Sequence, residues 1–255
     1  MSDTSFSSDW LDLREPADHA ARDRHLLKQA AECVGDGSVV LDLGSGTGST
    51  TRAFKGLLPE VTWRFVDGDQ DLLDIAVDRH AGSEQVVADL RDVDAIPLDG
   101  VSLVTASALL DLMPESWIEA LAHRLEAERV PLYAALNYDG EMAWTPALSE
   151  DESITASFNE HQRTDKGIGL AAGPGAAQST RRIFAQLGFD VRSANSPWKL
   201  DVDHRELQGQ LLAGIAAAAS EVGNAAATGW LAARRKALDH SSGLVGHADI
   251  LAVPT

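Results

Sequence analysis

Cysteine is almost missing from this chain: Cys33 is the only one in 255 residues. No intrachain disulfide can form and no thiolate-rich metal cage can be built. Basic residues are also scarce. Lys and Arg number 21 against 39 Asp and Glu, a formal net charge of −18, with a pI near 4.7. Nucleic-acid binding needs Lys and Arg to displace counterions, so the balance argues against it. It equally disfavours anionic membrane surfaces. No apolar run approaches a membrane span. The opening residues, MSDTSFSSDW, are polar and acidic, with no signal-peptide core. There is no internal repeat. These absences predict a cytoplasmic protein with a small ligand.

What is present is a core and an alternation. Hydrophobic residues make up 44% of the chain, enough for one α/β domain with insertions. Residues 1–9 read as disordered. A helical stretch follows Pro16 and stops at Gly35 and Gly37. Short apolar runs then alternate with helical patterns. The strands are SVVLDL, VTWRFVD, EQVVADL, GVSLVTAS and VPLYAALNY; the helices are TTRAFKGLL, QDLLDIAVDRHA and PESWIEALAHRLEA. This order predicts a mainly parallel sheet covered on both faces. Past Tyr138 the pattern loosens. SEDE at 149–152 resembles a capping box opening a helix through His161, and DKGIGLAAGPGA reads as loop. A helix over AAQSTRRIFAQLGF leads into the strand FDVRSANSPW. Two alanine-rich helices fill 204–239, broken near Gly223-Asn224, and LVGHADILAV closes the chain as a strand.

The stretch LDLGSGTGST, residues 41–50, sits at the first strand-to-helix turn. There a glycine pattern carries meaning. Gly44 suits the tight turn, Gly46 lets a ligand lie on the backbone, and Gly48 permits close helix packing. A dinucleotide fingerprint would need a third glycine at position 49, which is Ser49, and no Gly-Lys-Ser/Thr ending makes a P-loop. Asp42 below the turn opposes a pyrophosphate and suits a ligand carrying an ammonium group.

VLDLGSGTGST resembles the first motif of class I S-adenosylmethionine (SAM) dependent methyltransferases. Later strand ends continue the resemblance over residues 38–137: FVDGD, VADLRD and TASALLDLM. It implies a doubly wound, Rossmann-like, seven-stranded sheet, mostly parallel, with an antiparallel last strand and helical insertions. Residues 1–37 would be an N-terminal helical cap, and 38–255 the methyltransferase domain, with insertions at about 140–187 and 203–240. It implies that SAM lies against Asp42, Gly44, Ser45, Gly46 and Gly48. Asp67, with Gly68, would take the ribose hydroxyls, at the roughly twenty-residue spacing that βαβ geometry requires. Asp89 would take the adenine amino group and Leu90 would flank the ring. Ala106 and Ser107 would line the methionine part. Asp69 competes with Asp67, but Asp67 is first off the strand.

Methyl transfer is an in-line displacement, so acceptor chemistry belongs to segments outside these motifs. Three stand out. In LREPADHAARDR, a helix that the resemblance places over the site, Arg14, His19 and Arg22 are candidates. In NYDGEMAWTP, Asn137, Tyr138 and Trp144 leave the sheet's carboxyl edge. In HQRTDKGIG, His161 and Asp165 stand four apart, a spacing that suits a base and its orienting carboxylate. Tyr138, His161 and Asp165 are therefore the catalytic candidates. Trp198 could wall an acceptor pocket. No second histidine stands at metal-ligand spacing, so no metal is expected. No Asn-Pro-Pro-Tyr type motif is present, which discounts DNA and protein-glutamine acceptors and leaves a small-molecule acceptor. The helices at 204–239 offer a lid or a homodimer surface. Two alternatives stay open: a SAM-binding regulatory or partner protein without catalysis, and NAD-dependent redox chemistry, which Asp42 and Ser49 disfavour.

Overall fold

Val40, Leu41 and Leu43 are fully buried in the first strand. Their side chains alternate between two separate apolar layers, Leu41 and Leu43 to one and Val40 to the other, as a period of two requires. The structure is a computed structural model that describes residues 6–255.

Two helices precede the sheet, α1 (Ser8–Ala21) and α2 (Arg24–Glu32). The structure thus divides the single helical stretch expected here. Ser7 caps α1, its Oγ accepting from Trp10 N at 3.2 Å. Pro16 therefore lies inside the helix and not in its first turn. Asp23 then caps α2 through the amides of His25 and Leu26, which starts a new helix. Of the segment expected to be disordered, residues 1–5 lie outside the described residues and Ser8 is already helical.

The strands are β1 (Val39–Leu43), β2 (Thr62–Asp67), β3 (Glu84–Val87), β4 (Val101–Ser107), β5 (Leu132–Thr145), β6 (Phe189–Asn195), β7 (Trp198–Leu200) and β8 (Ser242–Pro254). They form one sheet in the order β3-β2-β1-β4-β5-β8-β6, with β7 on β8. Neighbours from β3 to β5 are parallel. β8 runs antiparallel to β5, β6 and β7. The mostly parallel sheet with a reversed last strand is as expected, with eight strands among the described residues in place of seven. The extra strand is β7, where FDVRSANSPW breaks after Asn195.

The crossover helices are α3 (Ser49–Ala53), α4 (Gln70–Arg79) and α5 (Glu115–Glu128). α3 is shorter than the run through Leu58 that the sequence suggests. On one face, Trp117, Ile118, Leu121 and Leu125 of α5 pack with Ile183 and Phe184 of α7 (Ala176–Gln186) against Leu41, Leu43 and Val104. On the other, α2 and α4 cover Val40, Phe65, Leu103 and Tyr133. Each fully buried Leu here contributes about 1.5–3 kcal/mol. A third core joins Tyr138, Trp144 and Trp198 to α8 (Arg205–Glu221) and α9 (Ala227–Ala237).

β5 is the largest departure from expectation. NYDGEMAWTP, expected just after the fifth strand at the sheet's carboxyl edge, instead continues β5 to Thr145 and pairs with β8 through Thr145↔Ser242. A bulge lies at the junction: Ala134 pairs with Ile250 and Asn137 with Ala248, so β5 has one residue in excess. Leu136 there takes a positive φ of 57° and its amide donates to Asp249 Oδ1 at 2.9 Å. The expected capping box at Ser149 does not form. Helix α6 (Asp151–Gln162) begins at Glu150 without a side-chain cap, because Ser149 Oγ bonds Glu150 Oε2 and Asp151 Oδ2 accepts from Leu148 N. No helix among the described residues is long and apolar enough to cross a membrane.

Candidate active site

The glycine turn is held to the neighbouring strand. Gly44 N and Ser45 N both donate to Val66 O, at 2.8 and 3.3 Å. Gly46 has φ 51° and Gly48 φ 79°, conformations costly for a residue with a Cβ. A Cβ on Gly48 would stand 2.9 Å from the His80 ring, and one on Gly46 would stand 2.9 Å from Leu11 of α1. The backbone at Gly46 is therefore covered by the N-terminal helix.

Acidic residues surround this turn in distinct states. Asp67 closes β2, its Oδ2 accepting from Gly46 N at 2.9 Å and its Oδ1 from Asp69 N at 3.1 Å. Burial raises its carboxyl above the usual range, although the amides of Gly46, Asp69 and Gly68 oppose the rise. Asp69 is the cap of α4, accepting from Asp71 N and Leu72 N. Of the two aspartates, Asp69 caps α4 and Asp67 bonds the Gly46 amide of the turn. Asp42 lies beneath, 1% exposed. Thr105 Oγ1 donates to its Oδ1 at 2.6 Å, and Oδ2 has no partner. Burial pushes Asp42 up to about 7, against the pull of Thr105 and of the Arg22 charge.

Of the remaining cofactor candidates, Ser45 is buried with an unpartnered hydroxyl. Ala106 is buried and Ser107 ends β4. Leu90 is half-buried, its carbonyl accepting from Trp117 Nε1 at 2.6 Å. Asp89 is exposed and gripped by Arg91, whose Nε lies 2.8 Å from both carboxylate oxygens. That guanidinium holds Asp89 below the usual range.

Helix α1 spans the carboxyl edge of the sheet through polar links. Asp12 pairs with Arg79 of α4 at 2.7 Å. Glu15 Oε1 accepts from Arg52 of α3 at 2.7 Å, and His19 Nε2 lies 3.1 Å from the carbonyl and hydroxyl oxygens of Ser49. Asp18 accepts from Arg14 and, at 2.9 Å, from Trp198 Nε1. At the helix end Arg22 turns inward, buried, and donates from Nη2 to Ser107 Oγ at 2.8 Å. Its Nε and Nη1 have no partner.

The catalytic candidates are not brought together. His161 Nε2 pairs with Glu221 of α8 at 2.9 Å, and Lys166 Nζ lies 3.4 Å from its Nδ1. Asp165 accepts from the amides of Gly167 and Gly169, which closes its own loop. α6 ends at Gln162, so the helical four-residue spacing that would align His161 with Asp165 is lost. The Tyr138 hydroxyl donates to Asn159 Oδ1 at 2.8 Å. Burial first, then the charges of Asp139 and Asp111, holds it far above the usual tyrosine range.

Three residues the sequence reading passed over are prominent at this edge. Asp249, fully buried in β8, accepts from Asp23 N at 2.9 Å, Leu136 N at 2.9 Å and Ser196 Oγ at 2.6 Å. Asp111, after β4, is 8% exposed with Oδ1 unpartnered. His247, opposite Tyr138, is buried with Nδ1 unpartnered. The available signal was a single carboxylate inside an apolar run, as in ALLDLM and HADILAV. Two shallow clefts, of about 360 and 550 Å³, lie along the far end of β5, one against β7 and one against α6; neither includes the glycine turn.

No family model matches the chain and no curated protein matches it in sequence. Solved structures do resemble it. A protein from Bacillus halodurans, provisionally assigned as a methyltransferase, superposes with a TM-score of 0.54 at 14% identity, covering 91% of this chain and 99% of its own. The cyclopropane synthase MmaA2 of Mycobacterium tuberculosis gives 0.53 at 14% identity, covering 97% and 94%. A provisional type II methyltransferase from Anaeromyxobacter dehalogenans gives 0.55 at 15% identity, covering 91% and 97%. With the glycine turn at the end of β1, an acidic residue at the end of β2 and a reversed last strand, the chain has the fold of the class I SAM-dependent methyltransferases.

Proposed function

We propose that the chain is a SAM-dependent methyltransferase acting on a small molecule. One observation carries the reading. Beside the glycine turn stand a buried carboxylate oxygen without a partner, Asp42 Oδ2, and a buried guanidinium with two nitrogens unpartnered, Arg22 Nε and Nη1. Buried donor and acceptor atoms left unpaired are costly, so a ligand that pairs with them is strongly favoured. An α-amino-acid group, with ammonium and carboxylate on one carbon, complements both at once. SAM carries that group, and NAD does not.

Bound SAM supplies an electrophilic methyl on a sulfonium sulfur, displaced in line by the acceptor. The chain's own part is placement. Asp42 and Arg22 hold the amino-acid end, with Ser45 and Ser107 beside them. Asp67 stands where β2 ends, able to accept from two ribose hydroxyls once it releases the Gly46 amide. Gly68 leaves that approach open, and Ala106 leaves room at the end of β4. Leu90 supplies an apolar side for adenine, and Asp89 an acceptor for its amino group after parting from Arg91. α1 excludes water from the turn, which strengthens each of these interactions. The charge of −18 supports a small acceptor over a nucleic acid. His161 and Asp165 are not retained as a catalytic pair, since each is engaged elsewhere. Tyr138 is kept as a wall of the acceptor side.

Calorimetric titration with SAM and S-adenosylhomocysteine tests the reading. Micromolar affinity, about −8 kcal/mol, should collapse in Asp67→Ala and persist in Asp69→Ala, which removes the cap of α4. Absence of binding to the wild type would overturn it. Binding without turnover over a broad metabolite panel would favour a regulatory SAM-binding protein.

A further inference from the structure

Asp42 has Thr105 to compensate one oxygen. Asp111 has nothing comparable: among the described residues no side chain bonds or pairs with its carboxylate, although it is 8% exposed and Oδ1 is fully buried. Beyond its own amide, nothing around it among the described residues supplies a partner. Arg14 is the cation whose charge reaches it, and Arg14 is engaged with Asp18 at 2.9 and 3.2 Å while stacking 5.0 Å over the Trp198 ring. His247 cannot serve as a cation, because burial and the Arg14 charge push it down to about 4. Tyr138 spends its proton on Asn159.

Asp111 lies in the short turn after β4, Leu110–Leu112, and the buried Tyr138 and His247 are paired across β5 and β8. Tyr138 feels the Asp111 charge. The His247 ring lies 6.2 Å from that of Tyr138 and 5.2 Å from that of Trp198. These rings form one aromatic cluster, in which His247 Nδ1 and the neighbouring Asn137 Oδ1 have no partner. A buried carboxylate oxygen without a partner, within electrostatic reach of an aromatic cluster, is the complement of a cationic nitrogen.

We infer that Asp111, with Tyr138 and His247 beside it, is the acceptor subsite and that its occupant is an amine, the nitrogen seated on the Asp111 carboxylate. This deepens the methyl-transfer reading and rests on it for what becomes of the amine. The acidity of the whole chain favours the arrival of such a substrate.

The test compares matched small probes: benzylamine, benzyl alcohol and benzoate, then propylamine, propanol and propionate. Their binding is measured by saturation-transfer NMR on the full chain, with and without S-adenosylhomocysteine. Expected is a preference for the amine of about tenfold or more over its carboxylate partner, the size of a charge-assisted bond. It should fall to about twofold or less in Asp111→Asn, which keeps the shape and removes the charge. Equal binding across both sets, or an amine preference that survives Asp111→Asn, overturns the inference. SAM affinity measured on the same samples separates the two readings. If SAM binds and the amine preference is absent, only the subsite fails; if SAM does not bind, the methyl-transfer reading fails.

Discussion

Arg22 Nη2 donates to Ser107 Oγ at 2.8 Å, joining the last turn of α1 to the end of β4 across 85 positions of sequence. The other two guanidinium nitrogens make no hydrogen bond of good geometry, although the Tyr133 hydroxyl and the charges of Asp18 and Asp249 act on the group. Arg22→Met should keep the apolar stem and lose both free donors. SAM affinity should fall roughly 10- to 100-fold, matching about 1.5–3 kcal/mol for hydrogen bonds to a charged group. 5′-Methylthioadenosine, which lacks the amino-acid end, should bind both proteins alike. Equal losses for the two ligands would show that Arg22 acts only through the fold.

Asp42 carries a pH signature. Its folded value of about 7 lies above the ordinary 3.8, so the folded state holds the proton more tightly than the unfolded one. The fold bears no penalty from this group below about pH 4, loses stability as pH rises from about 4 to 7, and stays at the reduced level above. Three units correspond to at most about 4 kcal/mol. Asp111, pushed up to about 6 by burial, adds to the loss with the same sign. Urea titrations of Asp42→Asn against wild type should show the mutant gaining relative stability between pH 4 and 7. Its affinity for SAM should be weaker and flat with pH, whereas the wild type should tighten between about 5.5 and 7.5 as Asp42 ionises.

Gly46→Ala tests the cover. The new methyl meets Leu11 at 2.9 Å on a backbone with φ 51°. The left-handed conformation costs about 1–2 kcal/mol, and the displaced Leu11 should loosen α1. Hydrogen exchange should quicken in residues 8–21 and remain slow in the central strands. Unchanged protection of α1 would mean that Leu11 yields without moving its helix.

Far from the turn, Arg234 is fully buried between Trp144 and Trp230, paired with Asp151 and donating to Pro146 O at 2.7 Å. Asp151→Ala strands that guanidinium and also frees Trp230 Nε1, which donates to Asp151 Oδ1 at 2.7 Å. A loss of about 3–5 kcal/mol in chemical unfolding is expected, with cofactor affinity unchanged where the protein remains folded.

The half of the molecule before Tyr138 was legible because its signals are local. A glycine turn between an apolar run and a helix, and a carboxylate at the next strand tip, need only short windows of chain. The half after it was not. Residues 139–145 carry Asp, Gly and Pro neighbours that read as loop, and they become strand only because β8, a hundred residues later, pairs with them. Tertiary pairing overrides weak local preference. The same holds at the site. Spacing suggested that His161 and Asp165 share a face, but α6 ends between them. Asp111 and His247 became visible only when burial and missing partners could be seen.

Asp249 has one more consequence. The carboxylate that receives Asp23 N belongs to a residue 226 positions later, and the same group fastens the β5 bulge and Ser196. During synthesis α1 can already dock on α3, α4 and β4 through residues 49–107, whereas the junction between α1 and α2 would wait for nearly the whole chain before finding its anchor. Closing so long a loop is slow compared with forming the local βαβ units. The nascent protein would thus hold a formed glycine turn with its cover in place and the hinge behind that cover still unfastened.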